Sequence, residues 1–113
     1  MIMKNNELKV VDIGHSNLSL ENAQAVFETT VSKALYKGNT RVLKVITGHG
    51  SGELRKTIRQ WCLEQEGRFK AVIYGEDYNI FNRIAVDMRA DCKINKDMDF
   101  GRSNSAITYI WLW

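Results

Sequence analysis

The hydrophobic period of this chain switches four times between Leu8 and Tyr74, and that alternation restricts the fold more than any other feature. Leu8-Lys9-Val10-Val11-Asp12-Ile13 is short and β-branched, which predicts a strand. Leu20, Ala23, Phe27, Val31 and Ala34 then recur at three- and four-residue steps, one apolar face of a helix. Ser19 is placed to cap that helix and Gly38-Asn39 to stop it. Val42–Ile46 reads as a second strand, apolar on nearly both faces. A second amphipathic helix starts near Glu53, with Leu54, Ile58, Trp61 and Cys62 on one side and Arg55, Lys56 and Arg59 toward water. It ends at Gly67, and Lys70–Tyr74 is a third strand.

The closing strand, Ala106–Leu112, carries Ile107, Tyr109 and Trp111 on one face and Ala106, Ile110 and Leu112 on the other. One face is expected against the helices and the other partly under the segment from Gly75 to Asn104. In that segment Asp77 is a candidate cap for a helix burying Ile80, Phe81, Ile84, Ala85 and Met88. Lys93 to Asp99 reads as a polar loop, with Asp97-Met98-Asp99 solvated rather than metal-binding. The order β-α-β-α-β-(insert)-β predicts an α/β fold, a two-layer α/β sandwich with parallel pairing between consecutive strands. One domain over 1–113 is expected, with a core at about 8–112 and an insert at about 76–100 that can add a helix over the sheet.

Composition narrows the class. The chain has 113 residues, 44% hydrophobic and 26% charged, with no proline, which excludes collagen-like and proline-rich classes. No apolar run approaches the roughly 20 residues needed to cross a bilayer. The stretch Met1 to Glu7 lacks an apolar signal core, so a cytoplasmic protein without membrane association is expected. The formal net charge is +3, compatible with a polyanionic partner but too small to demand one. Cys62 and Cys92 are too few and too far apart for a four-ligand zinc site and read as buried thiols.

The feature with most chemical content is Gly48-His49-Gly50-Ser51-Gly52, set between a strand and a helix. Glycines let the backbone approach an anion, and the amides at a helix start face outward with the positive end of the dipole behind them. Arg55 in the first turn adds a fork of donors, and His49 sits at the tip to stack, donate or shuttle a proton. The spacing matches neither Gly-x-x-x-x-Gly-Lys-Ser/Thr nor Gly-x-Gly-x-x-Gly. Asp12 and His15 end the first strand. If that strand lies parallel to the second, their carboxyl ends bring Asp12, His15 and the turn together.

These residues resemble the small MutS-related, or Smr, domain. Val11-Asp12-Ile13-Gly14-His15 is similar to its opening Leu-Asp-Leu-His-Gly, with the histidine one place later. Val45-Ile46-Thr47-Gly48-His49-Gly50-Ser51-Gly52-Glu53-Leu54-Arg55 resembles its strand, Thr-Gly-x-Gly turn and Leu-Arg helix. Gly101 to Thr108 resembles its closing turn and strand. The resemblance implies a fold like the C-terminal domain of translation initiation factor three. It further implies nucleic-acid binding, with DNA nicking or endoribonuclease activity in some members and action on stalled ribosomes in others. Asp12, His15 and His49 are then the candidate catalytic residues. Gly48, His49, Gly50, Ser51, Gly52, Arg55, Lys56, Arg59 and Arg102 are the candidate contacts to DNA or RNA. The alternatives are a non-catalytic nucleic-acid or ribosome-binding module, and a site for a small phosphorylated ligand. No cofactor is indicated; RNA cleavage needs only activation of the 2′-hydroxyl, whereas DNA nicking would call for a water and a divalent metal.

Overall fold

The computed structural model describes residues 7–65 and 67–113. The stretch read for a signal core lies almost wholly outside them. The elements are β1 (Leu8–Asp12), α1 (Leu20–Lys37), β2 (Val42–Ile46), α2 (Glu53–Glu64), β3 (Ala71–Tyr74), a single 3₁₀ turn (Gly75–Asp77), α3 (Arg83–Asp91) and β4 (Ile107–Trp111).

Local signals act where the chain carries them. The Ser19 side chain accepts the Asn22 amide at 3.2 Å and starts α1. Gly38, at φ +67, closes it with its amide on the Ala34 carbonyl. Ala23, Phe27, Val31 and Ala34 are buried, while Leu20 at the helix start is exposed. Trp61 of α2 meets Phe27 of α1 edge to face at 5.2 Å, so it is a packing residue.

The sheet runs β1-β2-β4-β3. β1 and β2 pair in parallel, Asp12 opposite Ile46. β4 lies between β2 and β3, antiparallel to both. Parallel pairing between consecutive strands therefore holds for β1 and β2 and fails for β3. Burial explains the order. Every residue of β4 is buried, whereas β1 is largely exposed and β3 mostly half-buried, so the strand with two apolar faces takes an inner place.

The two faces of β4 build two cores. Ile110 and Leu112 join Phe27, Val31, Leu43, Val45, Ile58 and Cys62 beneath α1 and α2. Ile107, Tyr109 and Trp111 join Tyr78, Ala85, Met88 and Cys92 beneath the insert. The helices thus form one layer on the sheet, and the insert adds a further cover, including α3, on the opposite face.

Inside the insert the structure corrects the sequence reading. The cap of α3 is Asn82, not Asp77; its Oδ1 accepts the Ile84 and Ala85 amides at 3.1 and 3.2 Å. Tyr78 is fully buried and stacks on Tyr109 at 4.0 Å, which holds residues 78–82 out of the helix. Ala85, Met88 and Cys92 face the sheet, while Ile80, Phe81 and Ile84, expected inside, are exposed. The polar loop is not simply solvated either. Lys44 in β2 donates to Asp97 at 2.6 Å and Asp99 at 2.5 Å, and Tyr109 donates to Asp97 at 2.6 Å. The Asp97 side chain is only 4% exposed, so its charge is held by these partners. Among the described residues, no cluster of three or more potential metal ligands occurs.

Candidate nucleic-acid interface

Because β1 and β2 run in parallel and in register, their carboxyl ends lie side by side. The Ile13 and Gly14 amides both donate to the Ile46 carbonyl at 3.0 Å. Gly14 packs so closely that a Cβ there would lie 2.6 Å from the Thr47 carbonyl carbon and 2.8 Å from the Gly48 nitrogen. Only glycine permits that approach. The tip of β1 and the start of the glycine turn are thus in backbone contact, although more than thirty positions separate them in sequence.

On the β1 side, the Asp12 carboxylate organises the corner. Oδ1 accepts the amides of Gly14 at 3.1 Å and His15 at 3.3 Å. Oδ2 lies 2.8 Å from His15 Nδ1. The side-chain hydrogen bond from His15, helped by the bonds from the two amides, outweighs the opposing effect of burial and holds the Asp12 carboxyl below the usual carboxylate range. An ionised Asp12 selects the tautomer in which Nδ1 carries the proton, leaving Nε2 as an acceptor. The His15 side chain is 76% exposed, so that nitrogen is open to a ligand.

The turn itself presents unpaired amides. Among the described residues, the main-chain amides from Gly48 to Gly52 donate to no protein acceptor, nor do those of Leu54 and Arg55. Gly52 caps α2 at φ +83 with no side-chain bond to the helix amides. Ser51 Oγ accepts the Glu53 amide at 3.3 Å. Arg55 folds back from α2 over the turn, its Nη2 2.8 Å from where a Gly52 Cβ would lie. Lys56 beside it is exposed. Such an array of unpaired amides at a helix start, backed by a guanidinium, suits an oxyanion.

On the other flank of the turn, His49 shares a cleft with Arg102, Ser103 and Asn104, the residues that lead into β4. The loops at this end of the sheet therefore stand in a row: Asp12 and His15, the glycine turn, then the approach to β4.

Arg59 does not belong to that row. Expected toward water, it is buried and fully engaged in structure. Its Nε donates to Thr108 Oγ1 at 2.9 Å, Nη1 and Nη2 form a fork on Glu76 at 2.9 and 2.8 Å, and Nη2 also reaches the Ile107 carbonyl. Its guanidinium lies 4.0 Å from the Tyr74 ring centroid. This bidentate bond holds the Glu76 carboxyl below its ordinary range, outweighing burial. Arg59 locks α2 to β4 and the end of β3, which leaves it no fork to offer a phosphate. The sequence also gave no warning of Lys44, whose partners lie more than fifty residues away.

This architecture is that of a small α/β domain with a glycine-rich turn at one sheet end, and the comparisons with known proteins agree on the fold. The Smr domain model matches residues 16–77, just over half of the chain, and the chain belongs to that family. The match begins one residue after His15 and includes the whole turn and α2. The crystal structure of the Smr domain of Thermus thermophilus MutS2 aligns with a TM-score of 0.55 at 16% identity, covering 95% of this chain and 98% of that one. At that identity the likeness establishes the fold. No curated protein matches the sequence.

Proposed function

We propose that this chain is a nucleic-acid-binding Smr domain that holds a backbone phosphate at Gly48–Gly52 and cleaves the adjoining phosphodiester. The observation that carries the reading is the close packing of Gly14, which lies between the paired Asp12 and His15, on the start of a turn whose amides are unpaired. Phosphate oxygens would accept from the turn and from the α2 amides, with Arg55 and Lys56 neutralising charge. His15 Nε2, oriented through Asp12, would take a proton from a 2′-hydroxyl or a water. His49 at the tip would return one to the leaving oxygen. The unpaired amides would gain strength as charge builds on the phosphoryl oxygens.

The test has two stages. Fluorescence anisotropy with short labelled RNA, single-stranded DNA and duplex DNA should show binding that weakens steeply with salt. Absence of salt-sensitive binding to all three refutes the proposal. In cleavage assays Asp12→Asn and His15→Gln should lose about 10²- to 10⁴-fold in rate, the usual worth of general acid–base catalysis, while staying folded. Undiminished cleavage by both variants would identify a contaminating nuclease.

One observation favours a second reading, a binding module without cleavage. The family's histidine position is occupied by Gly14, where the Thr47 backbone leaves no room for a side chain. The imidazole of this chain consequently enters from the next residue. Tight, salt-sensitive binding with substrate left intact would select this reading, including the form in which the partner is ribosomal RNA.

A further inference from the structure

The cleft beside the glycine turn differs in chemistry from the turn. It has a volume of about 430 Å³ and is lined by His49, Met98, Asp99, Arg102, Ser103 and Asn104. Five of these residues come from the insert or its junction with β4, so the cleft belongs to the part of the chain that covers the second face of the sheet. Its wall is preformed. The Gly101 amide donates to the Tyr78 carbonyl at 2.9 Å, the Arg102 amide to the Asp99 carbonyl at 3.1 Å, and the Ala106 amide to Asn104 Oδ1 at 3.0 Å. Ser103 sits at φ +54, a left-handed conformation that costs a residue with a side chain and is concentrated at binding sites.

Three groups in this cleft keep hydrogen-bonding capacity. Among the described residues, the Arg102 guanidinium and the His49 ring have no side-chain partner. Asp99 gives Oδ2 to Lys44 and keeps Oδ1 uncommitted. A fork of donors, a carboxylate oxygen and a flat ring therefore surround a space within the ligand-sized range of about 300 to 1,000 Å³.

We infer that this cleft reads one unpaired guanine next to the phosphate held by the glycine turn, an inference that rests on the phosphate reading above. Guanine offers O6 and N7 acceptors to an arginine fork. Its N1–H and N2–H₂ donors point from another edge and suit a carboxylate. No other common base combines that pair of acceptors with that pair of donors. His49 supplies the stacking surface. Engaging the Watson–Crick edge excludes a pairing partner, so the strand is single at this position.

The experiment uses the full chain and four labelled pyrimidine oligonucleotides that differ in one central base, on whichever backbone binds more tightly. The guanine-containing strand should bind about tenfold more tightly than the other three, the scale of one bidentate base contact. Arg102→Ala should bring the four affinities within about twofold of one another. Competition by GMP but not AMP, at the strength of the oligonucleotide, would identify a free guanine nucleotide as the source of the base. Equal affinity of the unaltered protein for all four strands overturns the guanine pocket and leaves the phosphate site standing. Salt-sensitive binding to none of them overturns both.

Discussion

Replacing Gly14 by alanine adds one methyl group where two strand ends touch. The new Cβ would lie 2.6 Å from the Thr47 carbonyl carbon, 2.7 Å from its oxygen and 2.8 Å from the Gly48 nitrogen. Each neighbour is backbone, so no side chain can swing away. Restoring a contact of 3.4 Å requires the strand ends to part by about 0.8 Å. The amides of Ile13 and Gly14, both 3.0 Å from the Ile46 carbonyl, would then lie beyond hydrogen-bonding reach. Two lost bonds at about 1 kcal/mol each, with some residual overpacking, give about 2 to 4 kcal/mol. For a chain of 113 residues that corresponds to a fall in Tm of about 8 to 17 °C. Circular dichroism during heating at neutral pH measures it. Gly50→Ala is the matched control, because a Cβ at Gly50 meets nothing within 4 Å and should shift stability by no more than about 0.5 kcal/mol. A fall of less than about 3 °C for Gly14→Ala would mean that the tip of β1 does not abut the turn, and the composite site would lose its basis.

Three further outcomes follow from the packing. Lys44→Met strands the buried Asp97 charge and should cost about 3 to 5 kcal/mol at neutral pH. Burial raises the Asp97 carboxyl, but the bonds from Lys44 and Tyr109 hold it below its ordinary range, so in the native protein its contribution is complete above about pH 4 and is lost as pH falls further. Without Lys44 burial prevails and the carboxyl rises, so the variant should regain stability on acidification from neutral pH; urea titrations at several pH values would show a flat difference if Asp97 were solvated. Phe81→Ser, at a side chain 91% exposed, should be neutral within about 0.5 kcal/mol, whereas Met88→Ala should cost about 2 to 5 kcal/mol in the same assay. Burial pushes the Cys62 thiol up to about 12, so thiol reagents should label it only at the rate of unfolding; prompt labelling of the native chain would contradict its place in the core.

Local rules carried much of the fold into view from sequence. Ser19 and Gly38 delimit α1 through contacts within a few residues, and the period of Ala23, Phe27, Val31 and Ala34 identifies its buried face. The two faces of β4 were legible because both are apolar and alternate. The start of α3 is ambiguous in sequence because Asp77 and Asn82 are both competent caps, and only the stacking of Tyr78 on Tyr109 decides between them. Its inward face is also built from Ala85, Met88 and Cys92, whose short members give a weaker apolar signal than Ile80, Phe81 and Ile84. Arg59 carries no mark in sequence that separates it from Arg55; one turn of helix places the first under Tyr74 and Glu76 and the second over the glycine turn. Asp12 and His15 were legible as residues at the end of the first strand, and bringing that strand end beside the turn needed only the parallel register of two strands; the hydrogen bond between them appears only in the structure.

The second covering of the sheet has an evolutionary corollary. Ile107, Tyr109 and Trp111 are tolerable only while the long excursion between β3 and β4 roofs them. Shortening that excursion would uncover a continuous greasy stripe, so the two features must be gained or shed together. A cousin with a brief connection here should carry hydrophilic side chains at those three sites, and sequence counts alone can detect the covariation.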